Sequence, residues 1–274
     1  AAAQEGVEGQ EGLQASGGEA DQQGADRMLL MSMPGLTWAD LQEHDLPNIE
    51  AFLEDAAVAN HAPRSVFARS TPGAAYLTIS AGARSIGRPS VDGQQLALDD
   101  RSAGSAAAEI VWRRTGNEPS GDYVALDWAS LLRRNEDRPY DAELGLLAET
   151  LAEAGMGASV IANADGTDTL AESHERQAGL AVATAEGEVL SGDLDVDLLE
   201  VDRALPFGLG LDHDRVLERF GPLWEAPGDA DRGLVLVEAS DLVRTLRYRS
   251  RVDEERYDEL WAQVLAEADD LFGE

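Results

Sequence analysis

The chain has 274 residues, room for one large domain with a sizeable core, and 43% of them are hydrophobic, which excludes global disorder. It carries 53 acidic against 21 basic residues, a formal net charge of -32, so a phosphate backbone would be repelled and nucleic acid is excluded as a partner. There is no Cys, which excludes disulfides, thiolate metal sites and Cys nucleophiles.

Residues 1–26 are Gly, Gln, Glu and Ala with almost no large apolar side chain, and read as a solvated acidic tail or linker ahead of a domain over 27–274. The opening Ala-Ala-Ala-Gln is no signal peptide and suits a trimmed chain. Met28 to Met33 is an apolar run stopped by Pro34-Gly35, the pattern of a buried strand. A helix is expected from Leu46 to about Ala57, with Ile49, Phe52 and Leu53 on its inner face and Pro47 in its first turn. Val58 to Phe67 reads as extended with a turn near Pro63, Ala74 to Ala81 as a helix ending at Gly82, and 84–101 as loop.

Further along, Ala106 to Arg114 is expected to be helical, Tyr123 to Leu126 a strand, and Asp141 to Ala154 an amphipathic helix stopped by Gly155. Ala158 to Ala162, Gly179 to Ala183 and Gly233 to Glu238 read as strands. Asp212 to Phe220 reads as a short helix and Asp253 to Phe272 as a long one, burying Tyr257, Leu260, Trp261, Val264, Leu265 and Leu271. Strands alternating with helices predict an α/β fold, a mainly parallel sheet covered on both faces, with ligand sites in the loops after the strands. No apolar run reaches the ~18 residues of a membrane span.

The charge itself has two readings. All 21 basic residues are Arg and none is Lys, as GC-rich coding gives. The acidic excess reads as a solubilising, salt-adapted surface, or as attraction for cations or a cationic partner.

Four segments then match a known pattern in order. MLLMSMPGLTWADL (28–41) resembles the first strand and loop of alkaline-phosphatase-like enzymes, and LPNIEAFLEDAA (46–57) their next helix. STPGAAYLTISAG (70–82) resembles their nucleophile segment, and LVLVEASDLVRT (234–245) the later strand that carries a metal-binding Asp. MSMPGLTWADL, ARSTPGAAYLTISAGAR, ASVIANADGTD and RYDELWAQVLAEADDLFG are also similar to the exported domain of uncharacterised multi-pass membrane proteins of GC-rich Gram-positive bacteria. This resemblance implies an extracellular domain tethered to the membrane by segments outside this chain. The resemblance to alkaline-phosphatase-like enzymes implies that the helix over 253–272 leads to a further strand with an Asp-His pair, so the chain is expected to be part of a longer protein.

The family's chemistry uses two divalent cations, zinc above all, to activate a hydroxyl. The resemblance puts Ser70 at the nucleophile position, with Thr71 as the adjacent fallback; the plain reading of Ser70 is a helix cap or turn. It puts Asp241 at a metal position, against a helix cap or turn. It puts Pro34, which has no donor atom, where the first ligand Asp belongs, and Thr245 where a His belongs; Asp40 and Asp45 lie on the following loop. Asp165 and Asp168 make a carboxylate-rich loop that is either a turn or a calcium-like oxygen site. His44, His61, His174 and His213 are scattered, none paired at helical zinc spacing, and Asp212-His213-Asp214 either holds a metal or starts a helix.

The expectation is therefore a non-catalytic, degenerate ectodomain with no cofactor, serving an unknown envelope ligand or a membrane-protein partner. The alternative is a zinc-, manganese- or calcium-dependent phospho- or sulfo-ester hydrolase or transferase acting on an envelope glycan or lipid head group. A two-lobed solute-binding module is disfavoured, because the strands suffice for one sheet.

Overall fold

The structure, a computed structural model, describes residues 27–59, 64–68, 70–89, 91–136, 138–167, 174–225 and 232–274. In chain order its principal elements are β1 (Arg27–Ser32), α1 (Pro47–Asp55), α2 (Pro72–Ala81), β2 (Gln95–Ala97), α3 (Ala107–Thr115), β3 (Tyr123–Ala125), α4 (Trp128–Glu136), α5 (Leu146–Glu153) and β4 (Gly157–Ile161). There follow β5 (Glu188–Val189), β6 (Ser191–Asp193), α6 (His213–Glu225), β7 (Gly233–Glu238), α7 (Ser240–Tyr248) and α8 (Glu254–Gly273).

Among the described residues the central sheet is four-stranded and wholly parallel, in the order β1-β7-β4-β6. All six residues of β7 are buried, and its apolar run divides between two cores. Leu234 and Leu236 face a core with Tyr76, Leu77, Leu131 and Leu180, under α2 and α4. Val235 and Val237 face the other, with Val216 of α6 and Leu271 of α8. Period-two alternation thus sends successive side chains to opposite layers, and both layers are apolar because helices cover both faces. The expected α/β class, with a parallel sheet, is what the chain adopts.

Local signals set most helix ends. Thr71 caps α2 by accepting from Ala74 N (3.3 Å), Pro72 stands at its first turn, and Gly82 ends it at φ +60°. Asp253 caps α8 by accepting from Arg256 N (2.8 Å). The six residues expected on the inner side of α8 are all buried.

Several expectations are corrected. Gly179–Ala183 is no strand: Gln177–Ala181 is a buried 3-10 turn packed against α2, since a short apolar run does not by itself separate strand from buried helix. The helix expected from Asp141 starts only at Leu146, because Asp141 (φ +48°) and Gly145 (φ +96°) turn the chain left-handed first. A Cβ at Gly145 would lie 2.5 Å from Ala185 N, so only glycine fits that approach. Phe52 is exposed and meets Phe272 edge-on rather than entering the core. Tyr123–Ala125 joins a separate antiparallel sheet, β2-β3-β5, whose β2 interrupts the expected loop. α4 and the outer strand β6 are additional elements, α7 follows β7 directly, and α6 runs on to Glu225 with Pro222 inside it. The turn near Pro63 lies outside the described residues.

Candidate functional site

A polar network lies where the parallel strands end, the position at which open α/β sheets hold ligands. At the end of β7, Glu238 is buried. The Tyr76 hydroxyl of α2 donates to its Oε2 (2.7 Å) and lies 2.8 Å from the Ser32 hydroxyl at the end of β1. The Ser240 hydroxyl donates to Glu238 Oε1 (2.7 Å) and accepts from Asn163 N (3.1 Å), tying β7 to the loop after β4. Burial pushes the Glu238 carboxyl up, against the bonds from Tyr76 and Ser240. Burial and then the Glu238 charge push the Tyr76 phenol well above its usual range.

One turn further, Asp241 and Arg244 form a buried ion pair. Arg244 is 0% exposed, and its Nε and Nη2 both reach Asp241 Oδ1, at 3.0 and 2.5 Å. Its Nη1 donates to the carbonyl of Asn163 (2.5 Å) and lies 3.5 Å from that of Asp165. Asp241 Oδ2 accepts from Leu211 N (2.9 Å). Both carboxylate oxygens thus bind N–H donors, and a fixed guanidinium supplies the positive charge that burial demands. Thr245 points its hydroxyl at the carbonyl of Asp241 (2.8 Å), inside the helix.

Asp165 is tied in a comparable way. Its Oδ1 accepts from Glu175 N (2.6 Å), and its Oδ2 meets His174 Nδ1 (2.8 Å) and Arg176 Nε (3.0 Å). Burial alone would raise this carboxyl; the His174 bond, the Arg176 charge and the Glu175 N–H together hold it below the usual range. Its surroundings are nitrogen donors, not the oxygen cage of a calcium site. Asp168 and His61 lie outside the described residues.

The remaining candidates are dispersed. Ser70 is half-buried, and its Oγ accepts from Ser65 N (2.8 Å), a turn contact just ahead of the Thr71 cap. Pro34 sits in a turn with Gly35, whose φ is +89°. Asp40 is held by Thr37 N (2.7 Å) and by Trp261 Nε1 (2.7 Å). Asp45 is exposed. Asp212 accepts from Arg215 N (3.1 Å), the helix-starting alternative for the Asp-His-Asp stretch.

Beside this network opens a cleft of about 590 Å³. Its walls include Asp100 and Arg101, His174 and Arg176, and Asp195 and Asp197. Asp193, Asp195 and Asp197 lie with carboxylate oxygens within 4.8 Å of one another, the one such trio among the described residues. Burial raises Asp193 and Asp195, with the repulsion of Asp197 adding to both. Arg219 spans two of them, 2.8 Å from Asp193 and 3.0 Å from Asp197, so a cation here would displace a guanidinium.

Compared with known proteins, the chain matches no family model, no curated relative and no solved structure. Function therefore rests on the site. The sequence alone did not single out Glu238, Arg176, Arg244 or the Asp193-Asp195-Asp197 trio. The alternating Asp-x-Asp-x-Asp was a visible signal, because alternate residues of an extended segment share a face. For Arg244 the signal was its place three residues after Asp241, the spacing of a helical ion pair, though that spacing does not distinguish a buried pair from an exposed one.

Proposed function

We propose that the domain is a non-catalytic binding module of the cell envelope, derived from the alkaline-phosphatase-like fold, that holds a polar ligand in the cleft after β4 and β6. One observation carries the reading: the buried Arg244 guanidinium is bonded to Asp241, the residue that a hydrolase of this kind would use to hold a cation. Two positive charges cannot share one carboxylate in a buried site without a cost of several kcal/mol, on the order of the desolvation of an ion. Pro34 and Thr245 add two positions without a strong metal ligand.

The cleft suits recognition. Its lining includes Arg101 and Arg176 together with Asp100, Asp195 and Asp197, so both signs of charge border it. Such a surface fits a hydroxyl-rich or zwitterionic group, as on an envelope glycan or lipid head group. Arg176 is preorganised for this task, being buried and fixed by Asp165. The extracellular setting and the tether to the membrane rest on the sequence resemblance.

The test is turnover of aryl phosphate, phosphodiester and sulfate esters with zinc or manganese added. The expected rate is the buffer rate, unchanged in Ser70→Ala. Hydrolysis that disappears in Ser70→Ala would overturn the proposal in favour of a metal-dependent esterase.

A further inference from the structure

The small antiparallel sheet β2-β3-β5 has a cavity of its own. About 170 Å³ of open space lies between the end of α3, β3, the start of α4 and the turn before β5. It shares no lining residue with the cleft after β4 and β6, and none of its lining comes from β1 or α8. Every lining residue belongs to the stretches 111–117, 124–132 and 185–188, each described without a break.

The floor is apolar. Val124, Leu126 and Trp128 are buried, yet border the space. Ala185 and Gly187, across from them in sequence, are too small to fill it. Trp128 cannot swing in to close it. Its Nε1 donates to the carbonyl of Ala185 (2.7 Å), and its ring lies so near Gly187 that a Cβ there would fall 2.3 Å from the ring Cγ. The space is therefore preformed, and its walls forgo the contacts that a filling group would give them. An apolar cavity of about 150 Å³ holds one benzene, so this one is sized for a single aromatic ring.

Arg114, in the last turn of α3, is the one basic residue of the lining. Its Nη1 donates to the carbonyl of Leu126, which fixes the guanidinium beside the floor. A guanidinium has five N–H donors, and among the described residues the other donors of Arg114 meet no acceptor. The two acids of the lining do not pair with it. Glu188 turns its carboxylate to the N–H groups of Ser120 (2.8 Å) and Gly121 (3.1 Å), and Glu186 is exposed to solvent. An oriented guanidinium with unused donors, beside an apolar floor, suits a carboxylate carried on an apolar body.

We propose that this cavity binds a small aromatic carboxylate, its ring on the floor of Val124, Leu126 and Trp128 and its carboxylate on Arg114. The site and the whole molecule then pull in opposite directions. A net charge of -32 attracts amines and repels acids, whereas Arg114 selects the acid.

The experiment offers the intact chain three ligands of one size, benzoate, benzyl alcohol and benzylamine, and follows binding by calorimetry. The salt is set at about 0.15 M, where charges beyond about 8 Å are screened. Benzoate is expected to saturate with a Kd at or below about 1 mM, within reach of so few atoms. Benzyl alcohol and benzylamine should bind at least about tenfold more weakly. Arg114→Gln should weaken benzoate by about tenfold and leave benzyl alcohol unchanged. Hydrogen exchange is expected to slow over 111–117 and 124–132 when benzoate is present. Should Arg114→Gln lose its cooperative melting, the ranking of the three ligands on the native chain decides. Benzyl alcohol or benzylamine bound as tightly as benzoate would overturn the proposal. So would benzoate binding that Arg114→Gln leaves unchanged, or no saturation at about tenfold the expected Kd. The cleft after β4 and β6 is untouched by either result.

Discussion

Asp92 shows what a single buried carboxylate does to this molecule. It is 2% exposed, its Oδ2 has no hydrogen-bond partner, and a Cβ on Gly73 would fall 2.0 Å from that oxygen. The carboxyl is wedged against the first turn of α2. Burial pushes it up to about 6, with the repulsion of Glu175 adding and the bond from Gln177 opposing. A folded value above the unfolded one means that protonated Asp92 stabilises the fold fully below about pH 4, and that this is lost as pH rises through 6. Asp165 has the opposite sign, its contribution being lost as pH falls below the usual carboxylate range. Comparing variants at each pH separates the two. Asp92→Asn is expected to raise stability at pH 8 by on the order of 2–3 kcal/mol, a shift of about two units, and to change little at pH 4. Urea denaturation at both pH values measures this. Destabilisation at pH 8 would show that the charged form is held by contacts of its own.

At the scale of elements, strands and helices were legible where one local signal sufficed. β7 is a continuous apolar run, α8 a long amphipathic pattern with a capping Asp, and α2 a Pro-to-Gly segment. Failures came where the deciding partner was distant in sequence. The run over 179–183 is buried, yet it packs chiefly against α2 and joins no sheet among the described residues. Leu29 reads as core from its neighbours but lies on an open edge, because strand order is not a local property. The site failed for another reason: Asp241 and Asp165 were visible as carboxylates after strands, and Arg244 and Arg176 follow them by only three and eleven residues, but that these arginines turn inward rather than to solvent is set by the packing around them. β7 itself offers a direct test. Leu236 is 0% exposed and its strand is paired on both sides. Leu236→Asp would bury a carboxylate without a partner, at a cost of several kcal/mol, comparable with a whole domain's stability of about 5–15 kcal/mol. The variant is expected to lose cooperative melting by circular dichroism. Retention of a sharp transition would contradict the central place of β7.

The whole molecule carries a net charge of -32, so it gathers cations over its surface with or without a specific site. Screening distinguishes the two. At about 1 M salt the Debye length falls to about 3 Å, and loosely held counterions are released while a coordinated ion stays. Among the described residues no helix is long and apolar enough to cross a membrane. The central claim is that Arg244 stands where a catalytic cation would bind Asp241. Elemental analysis of protein produced with added zinc and manganese, after a wash at about 1 M salt, tests it most directly. The account predicts far less than one ion per chain, in the native protein and in Asp241→Asn alike. Two tightly held ions per chain, lost in Asp241→Asn, would contradict it.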